Sequence, residues 1–183
     1  MLSVVLNMPT GIPPSLKEKL SHKHVLLDSN FLIEASNSSD DFRSVIDCLQ
    51  EAPCQPVLFS LVEFEIFRTS FQSELREAKR AYLDSWNCMR LPMGQALFAD
   101  AVAFGNYYAS IKIAPSLADC FIAAFLKQHH KDLFLITRNH KDFPPPLFIR
   151  EESFLIERPR DILAFGVYRF DETRQDLLIK YQS

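Results

Sequence analysis

The chain has 183 residues, 48% of them hydrophobic and 23% charged, with a formal charge of −3, which suits one folded domain with a substantial core and excludes an overall basic nucleic-acid binder. Only 4 glycines are present, and neither G-x-G-x-x-G nor G-x-x-x-x-G-K-[ST] occurs, which argues against a glycine-rich phosphate loop. Apolar runs such as Ile122 to Leu126 and Leu133 to Ile136 fall far short of the roughly 20 residues that span a bilayer. With no basic segment leading into an apolar core at the start, the expected location is the cytoplasm and no membrane partner is expected. Cys48, Cys54, Cys88 and Cys120 form no C-x-x-C pair, so buried free thiols are expected in place of a zinc site.

The first 23 residues read as an N-terminal extension: an apolar stretch from Met1 to Met8, interruptions at Pro9, Pro13 and Pro14, and a short helix over Ser15 to Leu20 lying on the surface. Val25-Leu26-Leu27 then runs into Asp28-Ser29-Asn30, a buried strand ending in an acid. Phe31 to Ala35 starts a helix, and Phe42, Val45, Ile46 and Leu49 behind Asp40 and Asp41 predict an amphipathic one. Pro56 to Phe59 predicts a second strand, followed by Ser60-Leu61-Val62-Glu63, an S-x-x-E capping box opening the next helix.

Charged and apolar residues alternate at helical spacing from Phe71 to Met89, as in a surface helix or hairpin arm. Met93 to Ile111 predicts a long helix with Leu97, Ala101, Phe104 and Tyr108 on one face. These two could pack on the sheet or form a dimer surface. Ser116 is placed to cap a buried helix from Cys120 to His130, with Asp119 in its first turn. Leu133 to Thr137 is the clearest strand, ending in Arg138-Asn139-His140-Lys141-Asp142 before Pro144, Pro145 and Pro146. Leu147 to Ile149 reads as a last sheet strand. Phe154 to Ile156 and Ile162 to Phe170 read as short strands or irregular packing, and Asp171 to Ser183 as an exposed helix. Strands alternating with helices predict an α/β fold with a central, mostly parallel sheet. The expected division is an extension over 1–23, a domain over 24–150, and a C-terminal extension over 151–183 packed on or extending it.

In a parallel sheet the strand ends share one edge, where ligands bind. Asp28, Glu63, Asp119 and Asp142 all fall at or just after such ends. Four carboxylates on one edge call for a cation or a proton between them, and hard oxygen donors favour Mg²⁺ or Mn²⁺. Such a site suits hydrolysis of a phosphodiester. Each acid also has a plain structural use: turn formation at Asp28, the capping box at Glu63, helix-dipole stabilisation at Asp119 and loop composition at Asp142. Glu65 would point to a different helix face from Glu63 and is the weaker candidate.

The segments LLDSNFLIEA, SLVEFEIFR, PSLADCFIAAFL and FLITRNHKDF resemble, in that order, the four signature segments of PIN-domain nucleases, and most resemble VapC-type toxin ribonucleases. The resemblance covers roughly residues 24 to 149 and implies a three-layer α/β/α fold. It puts the catalytic, metal-holding acids on Asp28, Glu63, Asp119 and Asp142, with Asn139 standing where many relatives have an acid. Ser29, Asn30, Thr137 and Asn139 would support those acids through hydrogen bonds, and Arg138, His140 and Lys141 would meet substrate phosphates. It further implies Mg²⁺- or Mn²⁺-dependent cleavage of RNA leaving a 5′-phosphate and a 3′-hydroxyl, a homodimer and an inhibitory antitoxin protein. The Asn139 replacement and the long ends motivate the alternative of a catalytically weak or inactive PIN-like module that binds RNA or protein.

Overall fold

The computed structural model describes residues 13–68 and 70–181; the expectations for Met1 to Met8 and Pro9 lie outside them. In chain order the elements are α1 (Pro14–Leu20), β1 (His24–Leu27), α2 (Ser29–Asn37), α3 (Arg43–Glu51), β2 (Gln55–Phe59), α4 (Ser60–Phe67) and α5 (Ser73–Ser85). They continue with β3 (Met89–Leu91), α6 (Gln95–Ser110), α7 (Leu117–Gln128), β4 (Leu133–Thr137), β5 (Phe148–Glu157), β6 (Ile162–Phe170) and α8 (Asp176–Ile179). One six-stranded sheet has the order β3-β2-β1-β4-β6-β5. The run β3-β2-β1-β4 is parallel, and β6 and β5 continue it antiparallel. This is the mostly parallel, three-layer α/β/α fold the sequence predicts. No helix among the described residues is long and apolar enough to cross a membrane.

Helices cover both faces because the strands are apolar on both sides, as buried parallel strands are. Alternation along β6 divides the aromatic core in two. Phe165 meets Phe31, Phe42 and Phe154, at ring separations of 5.4, 5.7 and 5.5 Å, and Trp86 of the α5 end joins Phe31 at 6.1 Å. Phe170 belongs to the other face, with Phe104 of α6 and Phe148 of β5. On that same side Phe59 packs against Phe125 of α7 at 4.7 Å.

Several expectations need correction. The helix over residues 14–20 does lie on the surface, with Ser15, Lys17, Glu18 and Lys19 exposed, but it is anchored there: Leu16 and Leu20 are fully buried, and α1 packs on α3. Strand β3 stands where a helix-to-helix connection was expected; it has three residues, the first two exposed, so no apolar period announces it. The expected division at residue 150 falls inside β5, and Ile162 to Phe170 is one continuous strand paired along β5 and to the end of β4. The stretch from Asp171 is a short 3-10 turn and the four-residue α8, whose Leu178 is buried. The four cysteines are free but only half-buried.

Since Phe165 joins rings from α2, β5 and the α3 approach, the hairpin is part of the core. Phe165→Ala is expected to lower stability by about 3–5 kcal/mol in urea unfolding, as for other buried Phe truncations.

Candidate active site

The chain leaves β1 toward β2 and β3 on one side, then returns through α6 and α7 to lay β4 against β1 on the other. The carboxyl ends of β1 and β4 therefore flank a topological switch point, where an open α/β sheet leaves a crevice. Asp28 follows β1 directly, and Thr137 ends β4. Both are buried.

Asp28 caps α2, its Oδ1 accepting from the Ser29 amide at 2.6 Å and its Oδ2 from the Thr137 hydroxyl at 2.6 Å and the Asn30 amide. Asn30 also donates to Thr137 Oγ1 at 3.0 Å and accepts from the Arg138 amide at 3.1 Å. The Asn139 amide donates to the same Thr137 oxygen at 2.9 Å. Ser29, Asn30 and Thr137 thus hold the acid and couple it to the loop beyond β4.

Asp119 is buried in the first turn of α7, where it and Ser116 form a full capping box: the Asp119 amide donates to Ser116 Oγ at 3.1 Å and the Ser116 amide donates to Asp119 Oδ2 at 3.1 Å, with the Ser116 hydroxyl adding a bond to the same Oδ2 at 2.6 Å. Its Oδ1 accepts from Asn139 Nδ2 at 3.4 Å. The helix-cap role and the site role are compatible, since one carboxylate oxygen serves each. Asp142 is also buried, and its Oδ1 has no hydrogen-bond partner among the described residues.

These acids act on one another. Burial pushes the Asp28 carboxyl from the ordinary 3.8 up to about 6, with Asp119 and Glu65 pushing the same way against the Thr137 and Ser29 hydrogen bonds. Burial, then the charge of Asp119, raises Asp142, against the Asn139 hydrogen bond and the Lys141 charge. Asn139 therefore serves as a donor between two acids, which is what an amide at this position offers and a carboxylate would not.

Glu63 lies elsewhere, and Glu65 takes the place expected for it. Glu65 Oε2 accepts from the Ser29 hydroxyl at 2.7 Å, whereas Glu63 pairs with Arg90 of β3 at 3.5 Å. Val62 and Ile66 form the buried face of α4, and the two glutamates, roughly 200° apart around the helix, flank it on opposite sides. One flank faces β1 and the other faces β3. The anticipated capping box is not made either: Ser60 is inside the helix, and the N-cap is Phe59, which makes no side-chain cap.

The three basic residues separate as well. Arg138 is engaged by Glu34 at 2.7 Å. His140 is not free to meet a phosphate, since its Nδ1 accepts from the Tyr168 hydroxyl at 2.7 Å and its Nε2 donates to the Ala164 carbonyl at 3.2 Å. Burial lowers its pKa, which favours this neutral, anchored state. Lys141 is exposed beside Asp142. The Tyr168–His140 contact was missed in sequence because Ile162 to Phe170 was read only as short strands or irregular packing, with no pairing partner assigned. Among the described residues, no three His, Cys, Asp or Glu side chains stand close enough together to hold a metal ion between them.

No protein-family model matches this chain, and no curated protein or solved structure does.

Folded Asp28 keeps its proton to about pH 6, whereas the unfolded residue releases it near 3.8. Between those values the folded state binds more protons, so stability falls as pH rises. The favourable contribution is fully present below 3.8 and lost as pH passes 6; the expected loss is about 2–3 kcal/mol, read by urea unfolding across this range. Carboxyl-resolved NMR is expected to show Asp28 titrating near pH 6.

Proposed function

We propose that this chain is a PIN-like, Mg²⁺- or Mn²⁺-dependent endoribonuclease acting from the crevice between the ends of β1 and β4. The observation that carries the reading is that Asp119 and Glu65 each act on the buried Asp28 carboxyl at that crevice, where none of the larger influences on Asp28 is a cation. Buried like charges without compensation favour a cation-binding site. The orphaned buried oxygen of Asp142 has the same character.

The donor set is all carboxylate oxygen, which fits a hard divalent ion. Mg²⁺ commonly takes one or two carboxylates and keeps several waters, so Asp28 and Asp119 suffice to hold it without a third protein ligand. A cation bound there supplies the charge that phosphodiester hydrolysis needs, acidifying water and countering charge that develops on the phosphate. Thr137 and Asn30 keep the Asp28 oxygens oriented, and Ser116 and Asn139 do so for Asp119. Glu65 acts through the Ser29 hydroxyl and is placed to accept a proton at Oε1 or Oε2. Lys141, exposed at the rim, is suited to a substrate phosphate. In the toxin form of this proposal, a cytoplasmic homodimer is held in check by an antitoxin protein, and expression arrests growth unless the product of a neighbouring gene is supplied.

One observation favours a second reading as a binding module: both Asp28 oxygens are already engaged by protein donors. The two readings part on cleavage. The purified protein, incubated with a mixed RNA panel, is expected to cut in Mg²⁺ or Mn²⁺ and not in chelator. Asp28→Asn and Asp119→Asn are expected to lower the rate by at least ~100-fold, as loss of a transition-state charge stabiliser does. Glu65→Gln is expected to lower it strongly, and Glu63→Gln by less than ~3-fold, as for a surface ion pair. If wild type and Asp28→Asn behave alike, the nuclease reading is wrong.

A further inference from the structure

Two large apolar side chains flank the acidic crevice without being needed by the core. Phe64 is 63% exposed and Leu117 68% exposed. Phe64 precedes Glu65 on α4, and Leu117 opens α7 between Ser116 and Asp119's first turn. With Glu65, Arg68 and Ser116 they line one cleft of about 200 Å³. Two of its walls belong to the site already described: Glu65 accepts from Ser29, and Ser116 caps Asp119.

Leaving a Phe ring and a Leu side chain in water forgoes the free energy that burial would return, so neither residue is placed there by the demands of packing. The cleft is small, and Leu61 and Ala118 join Phe64 and Leu117 in a mainly apolar lining that also includes the polar Glu65, Arg68 and Ser116, which suits a flat ring system with polar edges better than a helix or strand of a partner. Arg68 is exposed at the rim and makes no side-chain ion pair among the described residues. A guanidinium there can meet a phosphate or stack on a base.

We infer that Phe64 and Leu117 form a stacking site for one unpaired base of single-stranded RNA, with Arg68 engaging the adjoining backbone, so that the neighbouring phosphate is presented to the acids. The placement of that phosphate rests on the nuclease reading; the binding of the base does not. Aromatic stacking is available only to an unpaired base, because in a duplex both faces are covered. The site therefore selects single strands over double strands, with little demand on sequence.

The test uses the full chain in chelator, so that nothing is cut, and reads anisotropy of a short fluorescein-labelled single-stranded RNA. Phe64→Ala, at an exposed position, is expected to weaken binding roughly 5- to 100-fold, the range for loss of one base–aromatic stack. Phe64→Trp is expected to bind as wild type and to lose tryptophan emission as RNA is added. RNA made abasic throughout is expected to bind weakly and to be indifferent to Phe64→Ala, and duplex RNA to compete poorly. Absence of RNA binding by wild type, or equal binding by wild type and Phe64→Ala, overturns the inference. So does a dimer in sedimentation that Phe64→Ala dissolves with RNA binding unchanged, since the patch would then be covered by a second copy. Phe64-dependent binding without metal-dependent cleavage keeps the base site and sinks the nuclease reading; metal-dependent cleavage indifferent to Phe64→Ala does the reverse.

Discussion

The buried carboxylate of Asp28 is the constraint around which the carboxyl edge of the parallel strands is arranged. A carboxylate taken out of water must be met by donors, and here they come from the first turn of α2 and from the end of β4, elements separated by more than half the chain. The Asp28 amide adds a bond to the Ile136 carbonyl at 3.2 Å, so backbone and side chain both tie β1 to β4. That tie closes the switch point and fixes Thr137. Through Thr137 Oγ1 it also fixes where the Asn139 loop begins.

From that loop the dependence runs to the β5–β6 hairpin. His140 is held by the Tyr168 hydroxyl and the Ala164 carbonyl, and the Tyr168 ring reaches it by lying back over Gly166, where a Cβ would come within 2.5 Å of ring carbon Cε2. A side chain at 166 would displace the ring and with it the anchor of the segment carrying Asn139 and Asp142. The Tyr108 hydroxyl bonds the Asp142 carbonyl from the α6 side. Residues after 150 are therefore part of the scaffold of the site, since they pin the loop that brings Asn139 to Asp119.

Periodicity and strand-end acids made much of this legible in sequence: β1, β2 and β4 with their apolar runs, the amphipathic faces of α3 and α6, and the cap at Ser116. Two failures share one cause. Strand β3 is a short edge strand with two exposed residues, so it leaves no periodic trace. Without it, nothing showed that α4 lies between two strands with different neighbours. Glu63 and Glu65 flank the same buried face, and local pattern cannot say which flank looks toward Asp28. The sheet order decides it, because β1 and β3 lie on opposite sides of β2. The His140 contact failed for a similar reason: it depends on a residue 28 positions away across a strand pair.

The charges around the edge sort themselves in a way that separates support from site. Arg138 and Arg158 both close on Glu34, Arg158 also closes on Asp161, and Arg90 closes on Glu63. Each of these acids lies outside the crevice and has a cation of its own. Within the crevice, Asp28 is surrounded by neutral donors and by further carboxylates. Neutral donors satisfy hydrogen-bonding capacity but leave net charge in place, so Asp119 and Glu65 still raise Asp28 after every bond is made. If burial alone set this balance, an arginine such as Arg138, whose backbone amide already bonds Asn30, would be the nearest remedy. Its guanidinium is turned to Glu34 instead. The fold thus spends these cations on its periphery and leaves Asp28 under the influence of two further acids from α4 and α7, with neutral donors as its hydrogen-bond partners.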